Sequence, residues 1–397
     1  MVMTIVIIAE FFLGTIALGV LVCVTVLFIE VIAAVTCADI ALAPEGERRP
    51  LAVLMPAHNE STGIAASIRS VLPQLAAHDR LVVIADNCSD NTAAIAAAEG
   101  AEVVVRSDPA RRGKGYALDF GVRHLESDPP TVVLIVDADC HVLPSAVDHL
   151  VRLCCRTNRP AQAIYLMQAG PEARLNMRIA EFAWLVKNKV RPEGLHRLGL
   201  PCQLTGTGMA FPWECLGKAV LATGHIVEDM KLGLDLARAG AAPLLCPQAL
   251  VTSQFPTSAD GIKNQRTRWE HGHLSVILSD APRLILDGVR KRRADLLALA
   301  LDLCVPPTAL LALLVATIWI SCAILFYLTA LAWPLVLASL AALLMGASVL
   351  MSWAAYGRHL MTLGALLLSV IYPLRKIPLY LRFLVARQVD WVRSKRD

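Results

Sequence analysis

The chain has 397 residues, 56% of them apolar and 18% charged, with a formal net charge of +4. That apolar share is high for a wholly soluble protein, and the excess lies at the two ends. The small net charge argues against a nucleic-acid partner. The eleven cysteines are scattered with no CxxC pair, which argues against a zinc module or a disulfide framework.

At the amino end, Phe11 to Ile29 carry no charge and are bracketed by Glu10 and Glu30. About 20 apolar residues suffice to cross a bilayer as a helix. No Lys or Arg precedes Arg48, so the positive region of a signal peptide is missing, and residues 1–36 read as a retained transmembrane anchor. Arg48 and Arg49 then favour an outside amino terminus and a cytoplasmic domain after it.

That domain, residues 48–285, begins with "LAVLMPAHNE", an apolar run ending in Pro56 and polar residues, followed by Ile64, Ile68, Val71 and Leu72 at helical spacing. "RLVVIADNCSDNTAAIAAAEG" repeats the design, "AEVVVRSD" supplies a third short strand, and "TVVLIVDADC" a fourth that turns acidic at Asp137. Strands alternating with helices predict an α/β fold with a mainly parallel sheet. Ligand residues are then expected beyond the carboxyl ends of the strands: His58, Asn59 and Glu60, then Asp86, Asn87 and Asp90, then Asp137 and Asp139. Neither GxGxxG nor GxxxxGK[ST] follows any of them.

Residues 286–304 read as a basic juxtamembrane linker carrying "RKRR", Arg290 to Arg293. Two crossings follow within 305–354, roughly 305–327 and 332–354, hinged near Leu331 to Pro334. Residues 358–397 read as a short apolar or interfacial helix with a basic tail, because the apolar run from His359 to Leu374 is short for a crossing and basic residues mix with Leu, Tyr, Phe and Trp after it. Three crossings put the tail and the middle domain on one side.

Several local patterns carry chemistry. In "DAD", Asp137 and Asp139 sit where two carboxylates can converge on a hard cation. "RRGKGYAL", Arg111 to Leu118, is either a solvated basic turn or a phosphate grip, and "TGTGMAF", Thr205 to Phe211, has the glycines of a close-approach loop. Glu228 and Asp229 open a helical pattern, where acids commonly do no more than favour the helix start. If Asp229 faces a cleft, it can instead accept a proton from a hydroxyl. "NQRTRWEHGH", Asn264 to His273, precedes the membrane block; His271 and His273 read as polar packing rather than zinc ligands, since no third ligand stands at a known spacing. Trp184, in "RIAEFAWLVKNKV", reads as domain packing or as the lining of an acceptor path.

Together, "PAHNE", "ADNCSD", "RRGKGYAL", "DAD", "TGTGMAF", "VEDMKLGLDL" and "QRTRW" resemble, in that order, the membrane-associated inverting family 2 glycosyltransferases, the group that includes cellulose and hyaluronan synthases. The resemblance covers about Leu51 to His273 and implies a nucleotide-sugar-binding domain of the GT-A type that uses Mg²⁺ or Mn²⁺. Carried over, it implies that Asp86 contacts the donor base and that Asp137 and Asp139 form the metal-holding DxD motif, with Asp139 the direct metal or diphosphate contact. Lys114 and Arg268 would serve the donor diphosphate, and Asp229 would be the general base. Gln265, Trp269 and Thr207 would face the acceptor. Arg266 stands where many synthases have a second Gln.

The implied reaction is an inverting transfer from a nucleoside-diphosphate sugar, UDP-sugars favoured, to a membrane-bound acceptor. The small number of crossings favours single addition to a lipid-linked saccharide, in envelope or exopolysaccharide assembly, over processive polysaccharide synthesis. Membrane lipids are the expected surroundings and the inner (plasma) membrane the expected location. A nucleotidyltransferase and a non-enzymatic membrane scaffold or transporter component are the readings from other classes.

Overall fold

The computed structural model describes residues 2–38, 47–217, 219–222, 226–256 and 258–385; His225 and the basic stretch 386–397 lie outside them. After helix α1 (Val2–Thr36) the chain alternates β1 (Leu51–Ala57), α2 (Ile64–Val71), β2 (Arg80–Asp86), α3 (Thr92–Ala98), β3 (Glu102–Arg106), α4 (Lys114–Leu125) and β4 (Val132–Ile135). Next come β5 (His141–Val142), α5 (Ala146–Thr157), β6 (Ala161–Gln168) and α6 (Leu175–Leu185), which passes through a π-helical turn (Val186–Val190) into α7 (Arg191–Arg197). The domain closes with β7 (Met209–Pro212), α8 (Trp213–Leu216), α9 (Glu228–Arg238), β8 (Leu244–Gln254) and the long α10 (Ala259–Arg290).

The eight strands form one sheet in the order β3-β2-β1-β4-β7-β6-β8-β5. Its first half is parallel, as the alternation predicts. Beyond β4 the sheet is mixed: β7 runs antiparallel to both β4 and β6, β6 and β8 are parallel, and β5 is antiparallel to β8. The expectation of a mainly parallel sheet is corrected on this point. The alternation read from the sequence covers β1 to β4, whereas the later β7 inserts between β4 and β6 and runs antiparallel to both.

Strand β1 shows why its sequence is a continuous apolar run. Leu51, Val53 and Met55 pack with Ile64, Ile68 and Val71 of α2 and with Leu150 and Val151 of α5, while Ala52 and Leu54 face Leu118, Val122 and Leu125 of α4. A strand buried on both faces has no polar side to show. Each Leu or Ile so buried contributes roughly 1.5–3 kcal/mol.

Among the described residues four helical segments are long and apolar enough to cross a membrane: Ile7–Thr36, Thr308–Thr329, Trp333–Gly357 and Leu363–Val385. By this measure the chain is a multi-pass membrane protein. The sequence reading counts three, because it stops the last run at Leu374; the helical path continues through Arg375 and Lys376 to Val385. This fourth segment has a mean hydropathy of 1.2, against 2.2 to 2.8 for the others. Residues 286–304, read as a linker, are helical: α10 continues to Arg290, and α11 (Ala294–Cys304) packs back on it through Leu296, Leu299 and Leu303. Helices α12 (Thr308–Thr329) and α13 (Trp333–Ser352) share an apolar cluster with α1 and with Phe182, Leu185 and Val190. The stretch from α6 to α7 therefore lies between these apolar helices and the sheet.

Glu30, which brackets the apolar run in sequence, is buried and accepts a hydrogen bond from Arg191 Nε at 2.6 Å. The same guanidinium donates to the carboxylate of Asp302 at 2.5 Å. Gly194, one turn further along α7, makes the approach possible, since a Cβ there would stand 1.9 Å from the carbonyl oxygen of Glu30.

Candidate active site

The carboxyl ends of β1, β2 and β4 open on one cavity of about 160 Å³, lined among others by His58, Glu60, Asp86, Arg112, Lys114, Asp137 and Asp139. Asp86 is buried at the end of β2, where its Oδ1 accepts from Arg106 at 2.5 Å and from the Asn87 side chain at 2.9 Å. Asn59 and Asn87, just beyond β1 and β2, have φ of +55° and +51°. Asparagine is among the few residues that adopt this left-handed region readily, which lets each chain turn sharply out of the sheet.

Lys114, the first residue of α4, pairs with the Asp137 carboxylate and donates to the Gly206 carbonyl at 2.6 Å. Burial opposes its charge, but Asp137, Glu228 and Asp229 outweigh that and hold the ammonium above its ordinary range. Gly206 has φ +94°, and a Cβ there would lie 3.2 Å from Asp229 Oδ2 and 3.8 Å from Lys114 Nζ. Only a glycine lets the backbone run this close to both charged groups.

The carboxylates of Asp137 and Asp139 and the thiol of Cys140 offer ligand atoms that all lie within 4.8 Å of one another. Burial pushes the Cys140 thiol up to about 12, and its soft sulfur is poorly matched to a hard cation. What remains is a pair of carboxylates at a strand end, a donor set that fits a hard divalent cation such as Mg²⁺ or Mn²⁺.

A second cavity, also about 160 Å³, lies against the first. Lys114, Asp137, Gln265 and Arg268 line both; Asp139 and Asp86 line only the first, and Glu228, Asp229, Trp184 and Trp269 only the second. Glu228 and Asp229 occupy the first turn of α9. Desolvation and the neighbouring Asp229 push Glu228 up to about 7. Desolvation likewise raises Asp229, against the pull of Lys114. The Trp184 and Trp269 rings lie 4.7 Å apart at 40°, and Tyr165 meets Trp184 edge-on at 5.5 Å. These aromatics form one wall of the second cavity.

The stretch "NQRTRWEHGH" lies within α10 and divides its side chains between two tasks. Gln265, Arg268 and Trp269 face the cavities. Arg266, Glu270 and His271 instead hold the carboxyl-terminal segment: Arg266 donates to the Tyr372 hydroxyl at 3.0 Å, Glu270 pairs with Lys376, and His271 Nε2 meets the Leu379 carbonyl at 3.1 Å. His273 Nε2 donates to the Leu303 carbonyl at 3.1 Å. Burial, with Lys187 and Arg191 nearby, depresses His273 to about 3, so it is neutral. The two histidines thus point to different partners.

Thr207 is fully buried, and neither cavity has it in its lining. Its hydroxyl accepts from the Asp137 backbone N–H at 3.1 Å, and its carbonyl accepts from Gln162 at 2.9 Å. It braces the DxD turn from beneath. Sequence reasoning missed Arg106, which holds Asp86, and Gln162, which also accepts from the Thr205 N–H at 2.9 Å. It missed Lys187 and Asn188 as well, which enter the second cavity from the π-helical turn. Their one visible signal was two polar residues amid the apolar spacing of "AWLVKNKV".

Residues 48–272 match the model of the family described as glycosyltransferase like family 2. An uncharacterized glycosyltransferase of Mycobacterium tuberculosis is 37% identical over 199 residues, 46% of this chain and 84% of the relative. The probable glycosyltransferase YdaM of Bacillus subtilis is 24% identical over 243 residues, 57% of this chain and 56% of the relative, so the chain spans little more than half of that protein. Among solved structures, the mannosyltransferase PcManGT from Pyrobaculum calidifontis, in complex with GDP-Man and Mn²⁺, has the same fold, with a TM-score of 0.50 and 16% identity, covering 87% of this chain and 99% of that one. With more than half of its length matched by the family model and the strand-end acids, the glycine loop and the α10 element gathered around two adjoining cavities, this chain belongs to the glycosyltransferase like family 2 of enzymes.

Proposed function

We propose that the protein is an inverting transferase of the GT-A type that moves a sugar from a nucleoside-diphosphate sugar to a hydroxyl of a membrane-bound acceptor, a lipid-linked saccharide. The observation that carries this reading is the division of the site. The cavity with Asp86, Asp137 and Asp139 suits the donor nucleotide, the cavity with Asp229 and the tryptophans suits the acceptor, and Lys114, Asp137, Gln265 and Arg268 stand where the two meet.

In the proposed reaction Asp229 takes the proton of the acceptor hydroxyl, the oxygen attacks the anomeric carbon from the face opposite the leaving group, and the carbon–oxygen bond to the nucleoside diphosphate breaks. Lys114 and Arg268 offset the negative charge that builds on the leaving diphosphate, and they matter to the rate only insofar as they hold that charge better than the ground state. Asp137 and Asp139 would hold Mg²⁺ or Mn²⁺, whose positive charge would add to that of Lys114 and Arg268. Asp86 would receive the base, Gln265 and Trp269 the acceptor, and Thr207 would position Asp137 from below.

Membrane topology bears on the acceptor. The segment Leu363–Val385 is tied to the catalytic domain through Arg266, Glu270 and His271, and Arg375 donates to Asn176 Oδ1 at 3.1 Å. Those polar ties favour a position along the membrane surface rather than across it, which leaves three crossings, a catalytic domain in the cytoplasm and an inner (plasma) membrane location in contact with lipid. A lipid-linked hydroxyl then reaches Asp229 from the bilayer surface.

The test is a screen of the full-length protein in lipid nanodiscs. UDP-sugars are tried first and GDP-sugars second, since the mannosyltransferase of the same fold was solved with GDP-Man, each with total membrane lipid and with Mg²⁺, Mn²⁺ or chelator. Release of nucleoside diphosphate with a product heavier by one sugar supports the reading. A ladder of products would replace single addition by processive synthesis, and incorporation of the nucleotide itself would overturn the glycosyl transfer.

A further inference from the structure

The second cavity contains more recognition chemistry than a neutral hydroxyl needs. Its lining has four cations, Lys114, Lys187, Arg191 and Arg268. Lys114 is committed to Asp137 and the Gly206 carbonyl, and Arg191 to Glu30 and Asp302. Arg268 also lines the donor cavity. Lys187 lines only the second cavity and has no ion pair among the described residues; its ammonium lies 5.9 Å from the centre of the Trp184 ring.

Beside it stands Asn188, 3% exposed, whose side-chain nitrogen has no hydrogen-bond partner. A buried amide donor left without a partner is costly, so such a group is usually kept for a ligand or water. Both residues come from the π-helical turn between α6 and α7, a distortion that is frequent at functional sites. The turn is held on its outer side by Val186 and Val190 in the membrane-helix cluster, and Arg191, the next residue, is anchored to α1. Lys187 and Asn188 are therefore presented from a fixed support. Glu228 and Asp229 line the same cavity, and Lys187 is within electrostatic reach of Asp229.

We propose that Lys187 and Asn188 form an acceptor subsite for an anionic saccharide, one whose sugar carries a carboxylate or a phosphate, with the sugar ring against the Trp184–Trp269 wall. This deepens the proposed function and rests on the assignment of the second cavity to the acceptor. An unpaired ammonium with a buried amide donor beside it offers charge-assisted hydrogen bonds to carboxylate or phosphate oxygens. A neutral sugar leaves the ammonium without a direct ion pair and gains little from it. The repulsion from Glu228 and Asp229 places the anionic group at the Lys187 end and the nucleophilic hydroxyl at the Asp229 end, which gives the subsite a direction.

The test uses the full-length protein in nanodiscs and three probes of similar size: glucose, glucuronic acid and glucose 6-phosphate. Binding is followed by quenching of tryptophan fluorescence, since Trp184 and Trp269 line the cavity. The expected result is that one or both anionic probes bind at least ten-fold more tightly than glucose, and the stronger of the two identifies carboxylate or phosphate. K187M should remove the difference, K187R should restore most of it, and N188A should narrow it several-fold. Equal binding of all three probes to the unmodified protein, or an equal loss for all three in K187M, overturns the proposal. Binding of UDP and GDP with Mn²⁺, measured on the same samples, keeps the two readings apart. K187M should leave it unchanged, and if neither nucleotide binds the unmodified protein, the donor assignment fails whatever the probes show.

Discussion

Lys114 and Asp137 form an ion pair that joins the start of α4 to the end of β4, and the same ammonium reaches the Gly206 carbonyl at 2.6 Å. One side chain therefore sets the spacing between the acidic turn and the glycine loop at the junction of the two cavities. K114M should lower nucleotide affinity at least ten-fold, measured by calorimetry with Mn²⁺ present. Because it leaves Asp137 without its partner, the variant should also unfold at lower temperature; unchanged nucleotide affinity would remove Lys114 from the donor site.

D229N should separate binding from chemistry. The amide keeps the shape of the carboxylate but cannot take a proton, so transfer should fall by roughly 10²–10⁴-fold while nucleotide binding stays within a factor of about two. Equal loss of both would mean that Asp229 supports the fold of the site rather than the reaction.

The pair Glu228 and Asp229 predicts a pH dependence. Both carboxyls are raised: Glu228 from 4.5 to about 7 by desolvation and the charge of Asp229, and Asp229 by desolvation and the charge of Asp137. Asp229 works as a base only when ionised, so transfer should rise with pH along a limb above the ordinary carboxylate range. The sign for stability is the opposite of the usual carboxylate case: the folded state binds the Glu228 proton more tightly than the unfolded one, so this contribution is complete below 4.5 and is lost as pH rises towards 7. Thermal unfolding of E228Q should therefore be less sensitive to pH across that window, and an unchanged slope would show that Glu228 is not the group responsible.

G206A tests the loop. Alanine at φ +94° strains the backbone by roughly 1 kcal/mol, and its Cβ would meet Asp229 Oδ2 at 3.2 Å. Turnover should fall ten-fold or more, while the melting temperature shifts by only a few degrees. A fall in stability with normal turnover by the folded fraction would confine Gly206 to a structural role.

R191M addresses the tie to the membrane. It leaves the carboxylates of Glu30 and Asp302 buried without their guanidinium, and breaking a buried pair costs about 3–5 kcal/mol. Thermal unfolding in detergent should show a large loss. The double variant E30Q/R191M should recover part of it, because one of the two stranded charges is gone.

The sequence by itself determined the parallel half of the sheet and the residues at its strand ends. Apolar runs such as "VVLIV" can lie only in a layer buried on both faces, and the polar residues that end them have to lie where the strands leave it. Asp86, Asp137 and Asp139 are visible in this way, and the order of the motifs adds Lys114, Asp229 and Arg268. Only the tertiary structure decided the antiparallel neighbours of β7, the guanidinium of Arg106 on Asp86, the brace from Thr207 and the entry of Lys187 and Asn188 into the second cavity. Each of these joins residues 20 or more positions apart or depends on one helical turn being wider than its neighbours. A local pattern records which residues leave the core, but the partner each one meets is set by packing between distant elements.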